Sequence, residues 1–231
     1  MDNNISNHSV PDESARLMRL ATYASVSVAV FLILVKLVAW SQSDSVSLLA
    51  TLIDSILDAF ASIINLFAVR HALTPADKEH RFGHGKAEAL AGLSQSLFIA
   101  GSALFLLIEV GSNIINPVEI KYPIISMIVV AVTIVVTLLL VGFQQYVIKK
   151  TQSVAITADA MHYKSDLLMN GAVILALWLS TMGLSIFDPI IGGIIACFIL
   201  YSAWNILQIS MDQLMDKELP DDVRADIKKI V

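Results

Sequence analysis

Long apolar stretches alternate with short polar breaks along this chain, and each stretch reaches the 20 or so residues that a helix needs to cross a bilayer. Six of them occupy residues 17–40, 46–72, 87–115, 123–148, 154–182 and 186–209. The breaks at 41–45, 116–122 and 183–188 are brief, and Lys149, Lys150 and Thr151 join the fourth stretch to the fifth. The pattern predicts an all-α membrane protein with six transmembrane helices. It divides into a polar N-terminal tail (1–15), the six-helix domain (16–210) and the start of a C-terminal segment (211–231). Arg16, Arg19, Arg70, Lys78, Arg81, Lys86, Lys149 and Lys150 collect on one side, against Lys121 alone on the other. Because basic residues concentrate in cytoplasmic loops, both termini are expected in the cytoplasm.

Two stretches carry polar stripes. Thr51, Asp54, Ser55, Asp58, Ser62 and Asn65 recur at steps of three and four in the second, and Asp159, His162, Asp166 and Asn170 do so in the fifth. An ionisable side chain at bilayer depth costs roughly 2.5–3.5 kcal/mol on insertion scales, so two such stripes should face each other or a wet cavity rather than lipid. Asp54 with Asp58, and His162 with Asp166, are each spaced i,i+4, which stacks both members on one helical face. Three carboxylates and one imidazole then form a four-coordinate site for a divalent cation. Ser55, Asp159 and Asn170 are candidates to support that site or line its access path. Hydrogen-bonding glue between helices is the plain alternative for Ser, Thr and Asn, but it explains two matched Asp/His pairs poorly.

Ligand type narrows the ion. With no thiolate in the set, copper(I) is disfavoured, while one imidazole among carboxylates suits Zn²⁺ first and Fe²⁺, Co²⁺ or Mn²⁺ next. Cd²⁺ fits by its tetrahedral preference, whereas Mg²⁺ prefers to keep its waters in an octahedron. Metal and protons compete for the same lone pairs, so binding one releases the other. A site opening alternately to each side would thereby exchange metal for protons.

Composition changes the picture only at the margins. With 56% hydrophobic and 15% charged residues in 231, the chain is too apolar for an ordinary soluble domain. A formal charge of −5 gives no reason to expect nucleic acid as a partner. Cys197 is the only cysteine, which excludes an intrachain disulfide and a cysteine-based zinc finger. The N-terminal tail lacks the basic region and cleavage site of a signal peptide, so the first span is expected to be retained. In the tail, Asp221 and Asp222 precede Val223, Ile227 and Ile230 at helical spacing, an amphipathic helix with Lys228 and Lys229 near its end. The chain reads as though cut where a cytoplasmic domain begins.

Between the second and third stretches, Asp77, His80 and His84 form an Asp-x2-His-x3-His cluster. It could hold a second cation, or be solvated polar residues on a loop. Lys86 and Asp216 fall on the same side of the membrane, where an ion pair between them, or a hydrated lysine, are both open. No His-Glu-x-x-His motif is present and no separate general base stands beside the acids, so the chain is not expected to be an enzyme. A metal-binding membrane protein without transport would show the same stripes.

These pieces together resemble the cation diffusion facilitator family, in particular its bacterial zinc- and iron-efflux branch. The resemblance rests on Ser47-Leu-Leu-Ala-Thr-Leu-Ile-Asp54-Ser-Ile-Leu-Asp58, Pro75-Ala-Asp77-Lys-Glu-His80-Arg-Phe-Gly-His84-Gly-Lys86-Ala-Glu88, Ala158-Asp-Ala-Met-His162-Tyr-Lys-Ser-Asp166 and Leu214-Met-Asp216-Lys-Glu-Leu-Pro220. It implies a homodimer in the bacterial inner membrane that exports Zn²⁺, or Fe²⁺ or Cd²⁺, against protons. Asp54, Asp58, His162 and Asp166 would be its transport site, Asp77, His80 and His84 its loop site, and Lys86 with Asp216 a charged interlock at the dimer's cytoplasmic membrane face. Members usually continue into a cytoplasmic αβ domain, which is expected to be absent here. Lys78 stands where close relatives often carry a further acid.

Overall fold

The computed structural model describes residues 12–43, 46–115, 123–181 and 187–218. Most of the polar N-terminal tail, the centres of the three breaks on the Lys121 side, and the amphipathic tail helix lie outside these residues. Those described fold into six α-helices: α1 (Asp12–Ser43), α2 (Val46–Ala72), α3 (Lys86–Ile115), α4 (Pro123–Thr151), α5 (Val154–Thr181) and α6 (Phe187–Leu214). α1 and α6 outrun the apolar stretches the most. α1 begins at Asp12, where Asp12 and Glu13 face the positive end of its dipole, and α6 runs on to Leu214.

Among the described residues, five helices are long and apolar enough to cross a membrane: Asp12–Gln42, Thr51–Ala72, Lys86–Ser112, Met127–Thr151 and Ile190–Leu214. The expectation of six is met only in part. Among the described residues α5 is not one of the five; Asp159, His162, Lys164 and Asp166 lie in its first half.

Packing relies on small residues. α3 lies against α6 over the longest interface, and α1 against α2 over the next. Ile99, Ala103, Ala158, Ile199, Ala203 and Ile206 form one buried cluster among α3, α5 and α6. Alanines let helix backbones approach closely, which matters where lipid is as apolar as the core and dispersion must hold the bundle. Gly92 shows the limit of that approach: a methyl group there would stand 2.5 Å from Ser210 Oγ on α6 and 3.0 Å from Val154 Cγ1 on α5. A second cluster joins Met18, Ala21, Val69, Ala91, Val147, Ala155 and Ile156 at the end of the bundle where α4 turns into α5.

That turn is tightly specified. Gln152 takes a left-handed conformation (φ 53°) and its N–H bonds the Ile148 carbonyl at 2.8 Å, closing α4. Ser153 then caps α5, its Oγ accepting from the Ile156 N–H at 3.2 Å. Glu88, from α3, accepts from the Ala155 N–H at 3.3 Å, placing a carboxylate at the positive end of α5. The start of the helix bearing His162 and Asp166 is thus fixed by three neighbouring segments.

By contrast, α2 and α5 meet in only a few places. Between them opens a cavity of about 210 Å³ lined by residues of α1 to α5, Lys36, Asp54, Ser55, Asp58, Thr137, Tyr163, Asp166 and Asn170 among them.

Candidate metal centre

Three of the four acids and imidazoles singled out in α2 and α5 come together. Asp58, His162 and Asp166 each present a ligand atom within 4.8 Å of the other two. His162 Nε2 stands 2.9 Å from Asp58 Oδ1 across the helix gap and 3.6 Å from Asp166 Oδ2 one turn along α5. The imidazole is almost wholly buried, and its Nε2 makes no hydrogen bond of acceptable geometry. A buried nitrogen aimed at two carboxylates without such a bond suits cation ligation better than packing. Asp54, one turn earlier on α2, lines the same cavity but stands outside the tight group of three and is more exposed.

The supporting residues divide. Asn170 lines the cavity, and its Nδ2 donates to the Asp166 carbonyl at 2.8 Å. Ser55 is buried and accepts from Lys36 Nζ at 2.5 Å. Asp159 belongs elsewhere: it is fully buried behind the centre and does not line the cavity. Its Oδ2 accepts from Ser25 Oγ of α1 at 2.5 Å and from Gln144 Nε2 of α4 at 2.7 Å. Gln144 Nε2 also reaches Ser25 Oγ at 3.0 Å. Tyr163, next to His162, donates its hydroxyl to the Ser25 carbonyl at 3.2 Å and lies 3.0 Å from Ser62 Oγ. This buried web ties α1, α2 and α4 to α5 beside the imidazole, whose ring meets that of Tyr163 edge-on with centroids 5.5 Å apart.

Ser25, Lys36, Gln144 and Tyr163 escaped the sequence reading. Ser25 and Gln144 carry no charge to mark them, Tyr163 sits inside the polar stripe of α5 without being a typical ligand, and Lys36 stands alone among apolar residues. The only available signal was the cost of placing Lys36 within a span.

Asp77, His80 and His84 also gather their ligand atoms within 4.8 Å. Asp77 Oδ1 lies 3.3 Å from His80 Nδ1, and Asp77 Oδ2 lies 3.6 Å from His84 Nε2. The backbone N–H groups of Glu79 and His80 donate to Asp77 Oδ1 at 2.9 and 2.6 Å, an Asx-type turn. The His80 N–H foremost, with smaller help from that of Glu79 and the His80 side chain, holds the exposed Asp77 carboxyl below the usual carboxylate range. Gly83 supplies a positive φ of 80° that reverses the chain between the two histidines. His71, in the last turn of α2, sets its ring edge against His84 with centroids 4.5 Å apart.

Lys86 Nζ meets Asp216 Oδ2 at 2.8 Å and the Leu214 carbonyl at 3.2 Å, joining the start of α3 to the end of α6. Asp216 accommodates a left-handed φ of 52° to make that contact.

Residues 22–215 match the family described as the cation efflux transmembrane domain. The chain is 46% identical over 217 residues to the cation-efflux pump FieF of Pectobacterium carotovorum, covering 94% of this chain and 72% of that protein. The FieF pumps of Serratia proteamaculans (46% over 217 residues) and Escherichia fergusonii (47% over 216) are matched over the same shares. Five bilayer-length helices, an Asp/His centre between two of them and this match over nearly the whole chain lead to one conclusion: the chain belongs to the cation diffusion facilitator family, multi-pass membrane transporters that expel divalent metal cations.

Proposed function

We propose that the chain exports Zn²⁺ in exchange for protons through a tetrahedral site formed by Asp54, Asp58, His162 and Asp166. The observation that carries this reading is the approach of Asp58 on α2 to His162 and Asp166 on α5. An imidazole nitrogen 2.9 Å from a carboxylate oxygen needs a hydrogen or a cation between the two lone pairs, and either a proton or a metal ion supplies it. The two therefore exclude each other at one place, which is the physical content of coupling. Asp54, on the rim of the same cavity, joins the other three by a small movement of α2 and completes the ligand set. One imidazole and three carboxylates favour Zn²⁺, with Fe²⁺ and Cd²⁺ as competing cargoes.

In this reading α5 is the sixth span, carried across the bilayer with its polar face turned to the centre. The bias of Lys and Arg places both termini and the α2–α3 loop in the cytoplasm. Asp77, His80 and His84 bind a second cation at that surface, and Lys86 with Asp216 forms the interlock of a homodimer.

The test is flux into proteoliposomes under an imposed pH gradient. Zn²⁺ should move only with the gradient, and Asp58→Ala should abolish the movement. Gradient-independent uptake, or full activity of that variant, would sink the proposal. Competition by Fe²⁺, Cd²⁺ and Mn²⁺ in the same preparation ranks the cargoes.

A further inference from the structure

A cation sits in this protein where only anions and a cargo are called for. Lys36 lies within the candidate span of α1 and is only 9% exposed. Its Nζ donates to Ser55 Oγ at 2.5 Å and to the Thr51 carbonyl at 3.1 Å, both on α2 and on either side of Asp54 in sequence. Lys36, Asp54, Asp58 and Asp166 line one cavity. A buried ammonium is costly, and neutral glutamine or methionine would fill the same space without that cost.

We propose that Lys36 is a built-in counter-cation of the transport site, which sets the charge the cargo must bring and keeps the carboxylates from holding it too tightly. The proposal rests on the reading that Asp54, Asp58, His162 and Asp166 take the ion. Ligands bind metal deprotonated, so the three carboxylates contribute −3 and the imidazole is neutral. Lys36 leaves −2, the charge a divalent cation neutralises. Asp159 stays out of this sum, since its carboxylate is engaged by Ser25 and Gln144 and does not line the cavity. Without the lysine, a bound divalent ion would leave an unneutralised carboxylate in a low-dielectric cavity. That excess strengthens binding and slows release. Anchored on α2 by two hydrogen bonds, the ammonium keeps station beside the ligands and acts by position; it neither ligates the ion nor carries the coupling proton.

The experiment is Zn²⁺ flux by the reconstituted full chain at fixed pH gradient, with KM and kcat separated for Lys36→Gln and Lys36→Arg. Glutamine keeps an N–H donor in place of the ammonium and removes the charge, on a side chain one atom shorter. Lys36→Gln should lower KM on the order of tenfold, the scale of one charge acting through a partly buried site, and lower kcat as release slows. Lys36→Arg should hold both within a few-fold of the parent. A KM that is unchanged or raised in Lys36→Gln overturns the proposal, and so does an Arg variant as altered as the Gln variant. If Lys36→Gln does not fold, the same comparison is made with Lys36→Met. Loss of fold in both, with Lys36→Arg intact, assigns the charge to bundle stability and equally overturns it. Absence of flux in the parent chain would instead sink the transport reading itself.

Discussion

The two Asp/His clusters use the same ligand chemistry on opposite kinds of support. In the helix-borne centre, Asp58, His162 and Asp166 are mounted on long helices, and a web from Ser25, Ser62, Gln144, Asp159 and Tyr163 packs around the imidazole. In the loop cluster, Asp77 and His80 are more than half exposed, and the order comes from an Asx-type turn and the Gly83 reversal. A centre that must bind and release needs ligands held at a fixed place while solvent access changes around them. A cluster that only fastened a loop, as proposed for Asp77, His80 and His84, could let its ligands find the ion. Rigidity is therefore concentrated where turnover is expected, and adaptability where it is not.

The sharpest way to break this comparison is to remove the imidazole. His162→Ala should cut Zn²⁺ flux by about a hundredfold or more, because a primary ligand costs at least as much as the outer-shell partners of metal sites. Asp77→Ala should alter flux far less, while abolishing any Zn²⁺-dependent protection of the α2–α3 loop in hydrogen exchange. Equal losses of flux would mean that the two clusters work as one.

Next in size is the web behind the imidazole. Asp159→Ala would take the shared carboxylate acceptor from the buried Ser25 hydroxyl and Gln144 amide, at a cost of about 1–3 kcal/mol. The unfolding midpoint in detergent should fall accordingly. Asp159→Asn, which keeps an acceptor for both, should recover part of the loss.

A gentler contrast comes from pH. The lowered pKa of Asp77 means that its contribution to loop order is fully present above the ordinary carboxylate value of 3.8, and is lost only as the pH falls below it. Order in the turn should therefore hold steady from neutral pH down to the ordinary carboxylate value and decline only below it. Hydrogen exchange of the Glu79 and His80 amides, whose N–H groups donate to Asp77, checks this across that range. Loss of protection well above pH 4 (roughly the carboxylate reference) would show that a group other than Asp77 orders the turn.

The smallest effect is expected at the α3–α6 ion pair. Lys86 and Asp216 are 57% and 76% exposed, and solvent screens such pairs. Lys86→Ala should change chain stability by less than about 1 kcal/mol in thermal unfolding. A larger loss would show that the pair is shielded by something further, such as a second copy of the chain.

Much of this architecture was legible in advance because bilayer-length apolar runs and i,i+4 acids are local patterns. The stripe on α5 was read as uniformly facing the centre, yet Asp159 turns behind it. A step of three residues rotates a helix by less than a full turn, and Ser25 and Gln144 on neighbouring helices offered a better partner than the cavity. Lys36 was illegible for a related reason. Its meaning lies in contacts with Thr51 and Ser55, 15 and 19 residues away on another helix, and no spacing rule within α1 announces them.

The meagre surface shared by α2 and α5 has one further implication. Two struts that are barely glued can part without tearing much oil-like contact, so an ion held between them, as proposed, would be the rivet. With the cargo gone, the struts would be free to lean the other way. A bulky apolar residue introduced across that gap would act as cement, and the machine would bind its passenger but never let it off.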